Sequence, residues 1–126
     1  MRAVDTNVLV RLITRDDSKQ VASADRFVEK GAWVSLVALA EAMWVLAGVY
    51  DRNPADIAIA VEMLLDHKTL VLQDSEVVAA ALATFRTRPA LGFSDCLILE
   101  SARKAGHVPL GTVDRDLSKA TGAEKL

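Results

Sequence analysis

Four carboxylates that lie far apart in the chain each sit where a strand-like run hands over to a helix-like one. They are Asp5 in AVDTNVL, Glu41 in WVSLVALAEAMW, Asp95 in GFSDCLIL and Asp114 in PLGTVDRDL. In an α/β sheet, ligand-binding residues collect at the carboxyl ends of parallel strands, so these acids are expected to converge on one crevice. At roughly 5 Å and an effective dielectric of about 20, each ionised pair repels by about 3 kcal/mol, and such a cluster needs protons or a cation. Hard oxygen donors, without clustered His or Cys, select Mg²⁺ or Mn²⁺. The chemistry open to that site is attack of an activated water on a phosphodiester.

Each acid also has a purely structural reading. Asp5 can cap the helix that follows it, Asp95 falls in a first helical turn favoured by the macrodipole, and Asp114 can cap a short helix over Arg115 to Lys119. Asp116 is either an auxiliary acid or plain surface. Glu41 is the only charged residue between Gly31 and Asp51 and lies in an apolar helix. A carboxylate buried there takes up a proton or needs a cation. His67 and His107 are isolated and read as structural or surface residues. Cys96, beside Asp95, reads as a small buried hydrophobe rather than a nucleophile. Candidates for gripping phosphate are Arg11, Arg15, Arg86, Arg88, Arg103, Arg115 and Lys119, each also explained as a solvated surface charge.

The elements that must position these residues alternate. A first strand over Arg2 to Asp5 leads into a helix from Thr6 to Ile13, and a loop ending at Asp17 or Ser18 caps a helix reaching Lys30 and ended by Gly31. Trp33 to Ser35 reads as a second strand. Ala38 to Tyr50 reads as a helix apolar nearly all round and therefore buried on more than one side. Asn53-Pro54 opens a further helix carrying Ile57, Val61, Leu64 and Leu65. Thr69 to Leu72 suits a third strand, Ser75 to Phe85 a helix, and Thr87 to Gly92 a loop. Ser94 is expected to cap a helix running to Ala105 before Gly106, and Val108 to Val113 to form a fourth strand. Any fifth strand must come from Ala123 to Leu126, which have little β-propensity. The alternation predicts an α/β fold with a mostly parallel sheet covered on both faces.

The 126 residues fit one domain spanning positions 1–126, with no repeat or linker. The hydrophobic share of 52% leaves apolar surface for a partner, yet charges break every apolar run before it could span a membrane. The N-terminal residues run straight into a core strand without the apolar stretch of a secretion signal, and the single cysteine suits a reducing compartment. A cytoplasmic protein is expected. A net charge of −2 excludes a uniformly basic nucleic-acid binder, and 5% aromatic residues exclude an extended base-stacking platform. A nucleic acid would be gripped by its backbone.

These residues resemble the PIN domain ribonucleases, in particular the VapC-like toxins of toxin–antitoxin pairs. The markers are Val4-Asp5-Thr6-Asn7-Val8-Leu9, Glu41 after the second strand, Phe93-Ser94-Asp95 and Thr112-Val113-Asp114-Arg115-Asp116-Leu117. The likeness runs essentially end to end. It implies a three-layer α/β/α sandwich of four or five strands in the order 3-2-1-4-5, and Mg²⁺- or Mn²⁺-dependent endonucleolytic cleavage of RNA. By the same resemblance Asp5, Glu41, Asp95 and Asp114 are metal-binding catalytic acids, with Asp116 auxiliary. Asn7 and Thr112 position acids or substrate. A homodimer and a cognate antitoxin, whose peptide places a basic side chain near the acids, are the implied partners. Trp44, Leu46, Val49 and Tyr50 could serve either contact.

Rival readings fit less well. A phosphorelay receiver needs an acid pair directly after strand one and a phosphoacceptor Asp ending strand three, where this chain has Leu72-Gln73-Asp74-Ser75. A haloacid-dehalogenase-type phosphatase needs DxD where Asn7 stands. An inert PIN-like scaffold has no chemical reason to keep four repelling acids. A housekeeping RNA-processing nuclease competes with the toxin on equal residues.

Overall fold

Side chains at the helix starts set most of the boundaries. In the computed structural model, which describes residues 1–126, strand β1 (Arg2–Val4) ends at Asp5. The Asp5 carboxylate accepts the Val8 N–H at 3.1 Å and so caps helix α1 (Thr6–Thr14). Asp17 likewise caps α2 (Ser18–Val28) by accepting the Gln20 N–H at 3.0 Å. After β2 (Ala32–Val34), the Ser35 hydroxyl caps α3 (Leu36–Gly48), which therefore starts two residues before the expected Ala38. Asn53 caps α4 (Pro54–Asp66), with Pro54 in the first turn where its missing N–H costs nothing. β3 (Leu70–Leu72), α5 (Ser75–Thr87), α6 (Phe93–Ala105) and β4 (Leu110–Thr112) follow. A short 3-10 turn (Leu117–Lys119) precedes β5 (Ala123–Lys125).

Helix α6 starts at Phe93, and the capping position belongs to Gly92 rather than Ser94. The reason lies in packing: Phe93 is buried and meets Phe85 edge-to-face at 5.8 Å, which draws the chain into helix two residues early. A fifth strand does form. Its pairing is carried by backbone rather than side-chain propensity, with Leu110 N–H donating to Gly122 O and Leu126 N–H to Thr112 O. Gly111 leaves room for Leu126, because a Cβ there would lie 3.3 Å from Leu126 Cδ1.

All strand pairs are parallel. β1, β2 and β3 form one ladder with β2 central, and β4 pairs with β5 in a second. The neighbour relations 3-2-1 and 4-5 are those expected, although no ladder joins β1 to β4. With six helices around parallel strands, the architecture is an α/β fold consistent with the PIN-like sandwich. One expectation needs correction. Val4, Val34 and Leu72 share a buried row, but the neighbouring row of Ala3, Trp33 and Val71 is exposed, Val71 by 49%. Helices α5 and α6 pack on α4 and α3 instead of covering that row.

The core is one hydrophobic cluster drawing residues from Val4 to Ala120, with Leu9, Leu46, Val61 and Leu99 fully enclosed. Helix α3 is not buried all round. Leu39, Ala42, Met43 and Leu46 face inward, whereas Val37, Glu41 and Trp44, spaced i, i+4, i+7, form a solvent stripe with Trp44 70% exposed. Leu46 is thus unavailable to a partner, and Tyr50 is held by Arg11 at 2.9 Å. Trp44 and Val49 remain free. No helix is long and apolar enough to cross a membrane.

Candidate active site

Asp5 follows β1 directly, and its cap to Val8 uses Oδ1 alone, which leaves the other oxygen without a protein donor. Asp114 follows β4 and is held at two points. Its own N–H donates to Thr112 Oγ1 at 3.0 Å, and its Oδ1 accepts the N–H groups of Asp116 and Leu117 at 2.8 and 3.1 Å. Asp114 Oδ2 has no donor. These bonds make an Asp-capped turn out of VDRDL. Asp116 is exposed and contributes only its backbone.

Asp95 lies half-buried in the first turn of α6. Burial, and after it the charge of Asp114, hold its carboxyl above the usual range, with a backbone bond at Gly92 pulling the other way. Asp95 and Asp114, nineteen positions apart in sequence, therefore feel each other directly across the gap between α6 and the end of β4.

Glu41 is exposed in the second turn of α3. The inference that it must be compensated because it is buried fails, since the apolar residues flanking it turn to the core while Glu41 shares the solvent stripe with Val37 and Trp44. In the observed arrangement no three acid, His or Cys side chains approach closely enough to share one ion. Asp16, Asp25, Glu62, Asp74, Glu76 and Glu100 are paired with Arg or Lys, whereas Asp5, Glu41, Asp95, Asp114 and Asp116 have no cation within 4.0 Å, a condition they share with Asp17, Glu29, Asp51, Asp56, Asp66 and Glu124. What sets Asp95 apart is partial burial together with the charge of Asp114 acting on it. Uncompensated carboxylates with spare oxygens, two of them in mutual repulsion, are a donor set suited to a hard divalent cation.

Several expected phosphate-binding cations are already engaged. Arg11 pairs with Asp16, Arg15 with Asp25, Arg86 with Glu62 and Arg103 with Glu100, while Arg88 donates to Lys119 O. Arg115 and Lys119 have no acidic partner. His67 Nδ1 accepts the Thr69 N–H in the turn before β3, and His107 is an exposed loop residue. Sequence reasoning missed the polar knot of Arg11, Asp16, Gln20 and Tyr50, in which Arg11 Nε donates to Gln20 Oε1 at 2.5 Å. Its members are separated by up to 39 positions, and no local motif marks them.

Cys96 has no solvent exposure. Burial, then the charges of Asp95 and Glu100, push its thiol up to about 11. At pH 8 the folded protein should therefore resist alkylation by iodoacetamide, with rapid reaction only after unfolding in guanidinium. Mass spectrometry of native and unfolded samples checks this, and prompt native modification would contradict the packing around α6.

The family model of the PIN domain matches residues 2–123, taking in β1 to β4, all six helices and all the acids described above. The chain belongs to the PIN domain family. Comparisons with curated proteins and with solved structures find no match. PIN domains are nuclease-type domains that act on nucleic acid and typically employ divalent metals, so the parallel strands and six helices here are the frame of a nucleic-acid hydrolase. Membership also removes the receiver and dehalogenase-type readings.

Proposed function

We propose that this PIN domain, spanning 1–126 as a single unit, is a Mg²⁺- or Mn²⁺-dependent endoribonuclease and the toxin of a VapC-like toxin–antitoxin pair. The observation that carries the reading is the PIN family match over residues 2–123, with Asp5, Asp95 and Asp114 at element ends and none of them balanced by a cation. Asp5, Asp95, Asp114 and Glu41 would hold the ion or ions, with Asp116 as an auxiliary. A divalent cation supplies a water of lowered pKa and stabilises the leaving oxygen of a phosphodiester.

The chain's own residues orient that site. Thr112 and the two N–H groups at Asp116 and Leu117 fix Asp114 with one oxygen free to ligate. The Val8 N–H does the same for Asp5. Asn7, in the first turn of α1 two residues after Asp5, would donate to a substrate phosphate. Burial of Asp95 lowers the local dielectric and strengthens its pull on a cation.

The toxin assignment draws on the exposed apolar residues Val37 and Trp44 of α3 and Ile59 and Met63 of α4. They supply surface for a homodimer contact and for an antitoxin helix. A cavity of about 210 Å³ lined by Met43, Trp44, Leu91 and Phe93 opens beside Ser94, adjacent to Asp95. An antitoxin side chain seated there would bring a basic neighbour to the acids in a cytoplasmic complex. Expression of wild type in a host lacking the antitoxin should arrest growth and degrade RNA, Asp5→Asn should do neither, and the adjacent small gene should restore growth. Unimpaired growth with soluble wild type that still cleaves RNA in vitro would favour a housekeeping nuclease instead.

A further inference from the structure

Helices α1 and α2 enclose a cleft of about 500 Å³ whose lining includes Asn7, Arg11, Lys19, Gln20, Ser23 and Phe27. It continues past Ser23 and Phe27 into a second, more open hollow of about 350 Å³ bordered by Arg2 and Arg26. No carboxylate lines either part. That composition is unusual in a protein of net charge −2. Lys19, Ser23, Arg26 and Phe27 recur at i, i+4, i+7 and i+8 and so share one face of α2, with about 10 Å of helix between Lys19 and Arg26. Arg2, Lys19 and Arg26 have no acidic partner within 4.0 Å.

Resting on the nuclease reading, we propose that this groove binds the RNA strand on one side of the cleaved bond. Lys19 and Arg26 contact successive phosphates, and Asn7, which lines the α1–α2 cleft two residues after Asp5, leads the strand toward the acids. The charge is complementary to a polyanion. Arg2 supplies the remaining element. Its guanidinium lies 3.8 Å from the centroid of the Phe27 ring, a flat cationic surface on which an unpaired base can stack. Arg11 is anchored to Asp16, Gln20 and Tyr50 and so forms the rigid wall rather than the mobile contact.

The test measures binding of a short labelled single-stranded RNA to the full chain in EDTA across a salt series, with the RNA checked intact, alongside cleavage in Mg²⁺ and Mn²⁺. The double variant Lys19→Ala/Arg26→Ala should lower the slope of log affinity against log salt by about 1.4, two phosphates at about 0.7 each. It should bind about tenfold or more weakly in moderate salt and raise KM with little change in kcat, whereas Lys68→Ala/Lys104→Ala, which removes equal charge elsewhere, should change neither. An unchanged slope in the groove variant, with wild type that binds and cleaves, overturns the groove and leaves the nuclease standing. The groove would then fit an acidic peptide. Groove-dependent binding without cleavage in either metal supports the groove and refutes the nuclease. Absence of RNA binding by wild type overturns both.

Discussion

Asp95→Asn is expected to melt above wild type in metal-free buffer and to lose the stabilisation that wild type gains from Mn²⁺. The Asp95 carboxyl is raised by burial and by Asp114, so folding favours its protonated form. Its contribution to stability is fully present below the ordinary aspartate value of 3.8 and is lost as pH rises through the higher folded-state value. Above that value the metal-free wild type carries the penalty, and the neutral amide removes it. Metal reverses the ranking. At about 100 times its dissociation constant, an ion that binds only the folded state stabilises by about 2.7 kcal/mol, a gain the variant forfeits with its ligand. Thermal melts of both proteins with and without Mn²⁺ decide the matter, and equal metal shifts in the two would remove Asp95 from the site.

Leu46→Ala should have the largest effect on folding of any single truncation in α3. Leu46 has no solvent exposure and sits on the face of a helix packed by α1, α4 and α6 at once. Deleting a buried isobutyl group loses its transfer free energy and leaves a cavity that three helices cannot collapse together to fill, costing about 2–5 kcal/mol. Domains of this kind hold about 5–15 kcal/mol in total, so the variant should unfold roughly 10 °C or more below wild type. Trp44→Ala, two residues away but 70% exposed, should leave the monomer within about 0.5 kcal/mol. Similar losses in both would mean that the stripe of Val37, Glu41 and Trp44 is itself packed in solution, as in a homodimer.

The contrast between Leu46 and Trp44 also marks where sequence reading stops. Element order was legible because the punctuation is local: Asp17 and Asn53 cap their helices, Pro54 opens one and Gly106 closes one. The positions of Asp5, Asp95 and Asp114 at element ends followed from the same signals. Composition, however, cannot tell an apolar helix buried on all sides from one that saves a face for a partner, so Glu41 was misread as buried. Ser94 has the chemistry of a cap, but burial of Phe93 against Phe85 outweighs it. β5 was obscured because its pairing is a backbone matter. Lys19 and Arg26 each look like ordinary solvated charges, and only the packing of α2 against α1 joins them into a groove.

The most direct test of the nuclease assignment is the fate of single-stranded RNA incubated with purified wild-type chain in Mg²⁺ or Mn²⁺, in excess EDTA, and with Asp5→Asn in either metal. Internal cleavage in the first condition and none in the other two is the expected result. Undiminished cleavage in EDTA, or by Asp5→Asn, would contradict a metal-dependent site built on these acids.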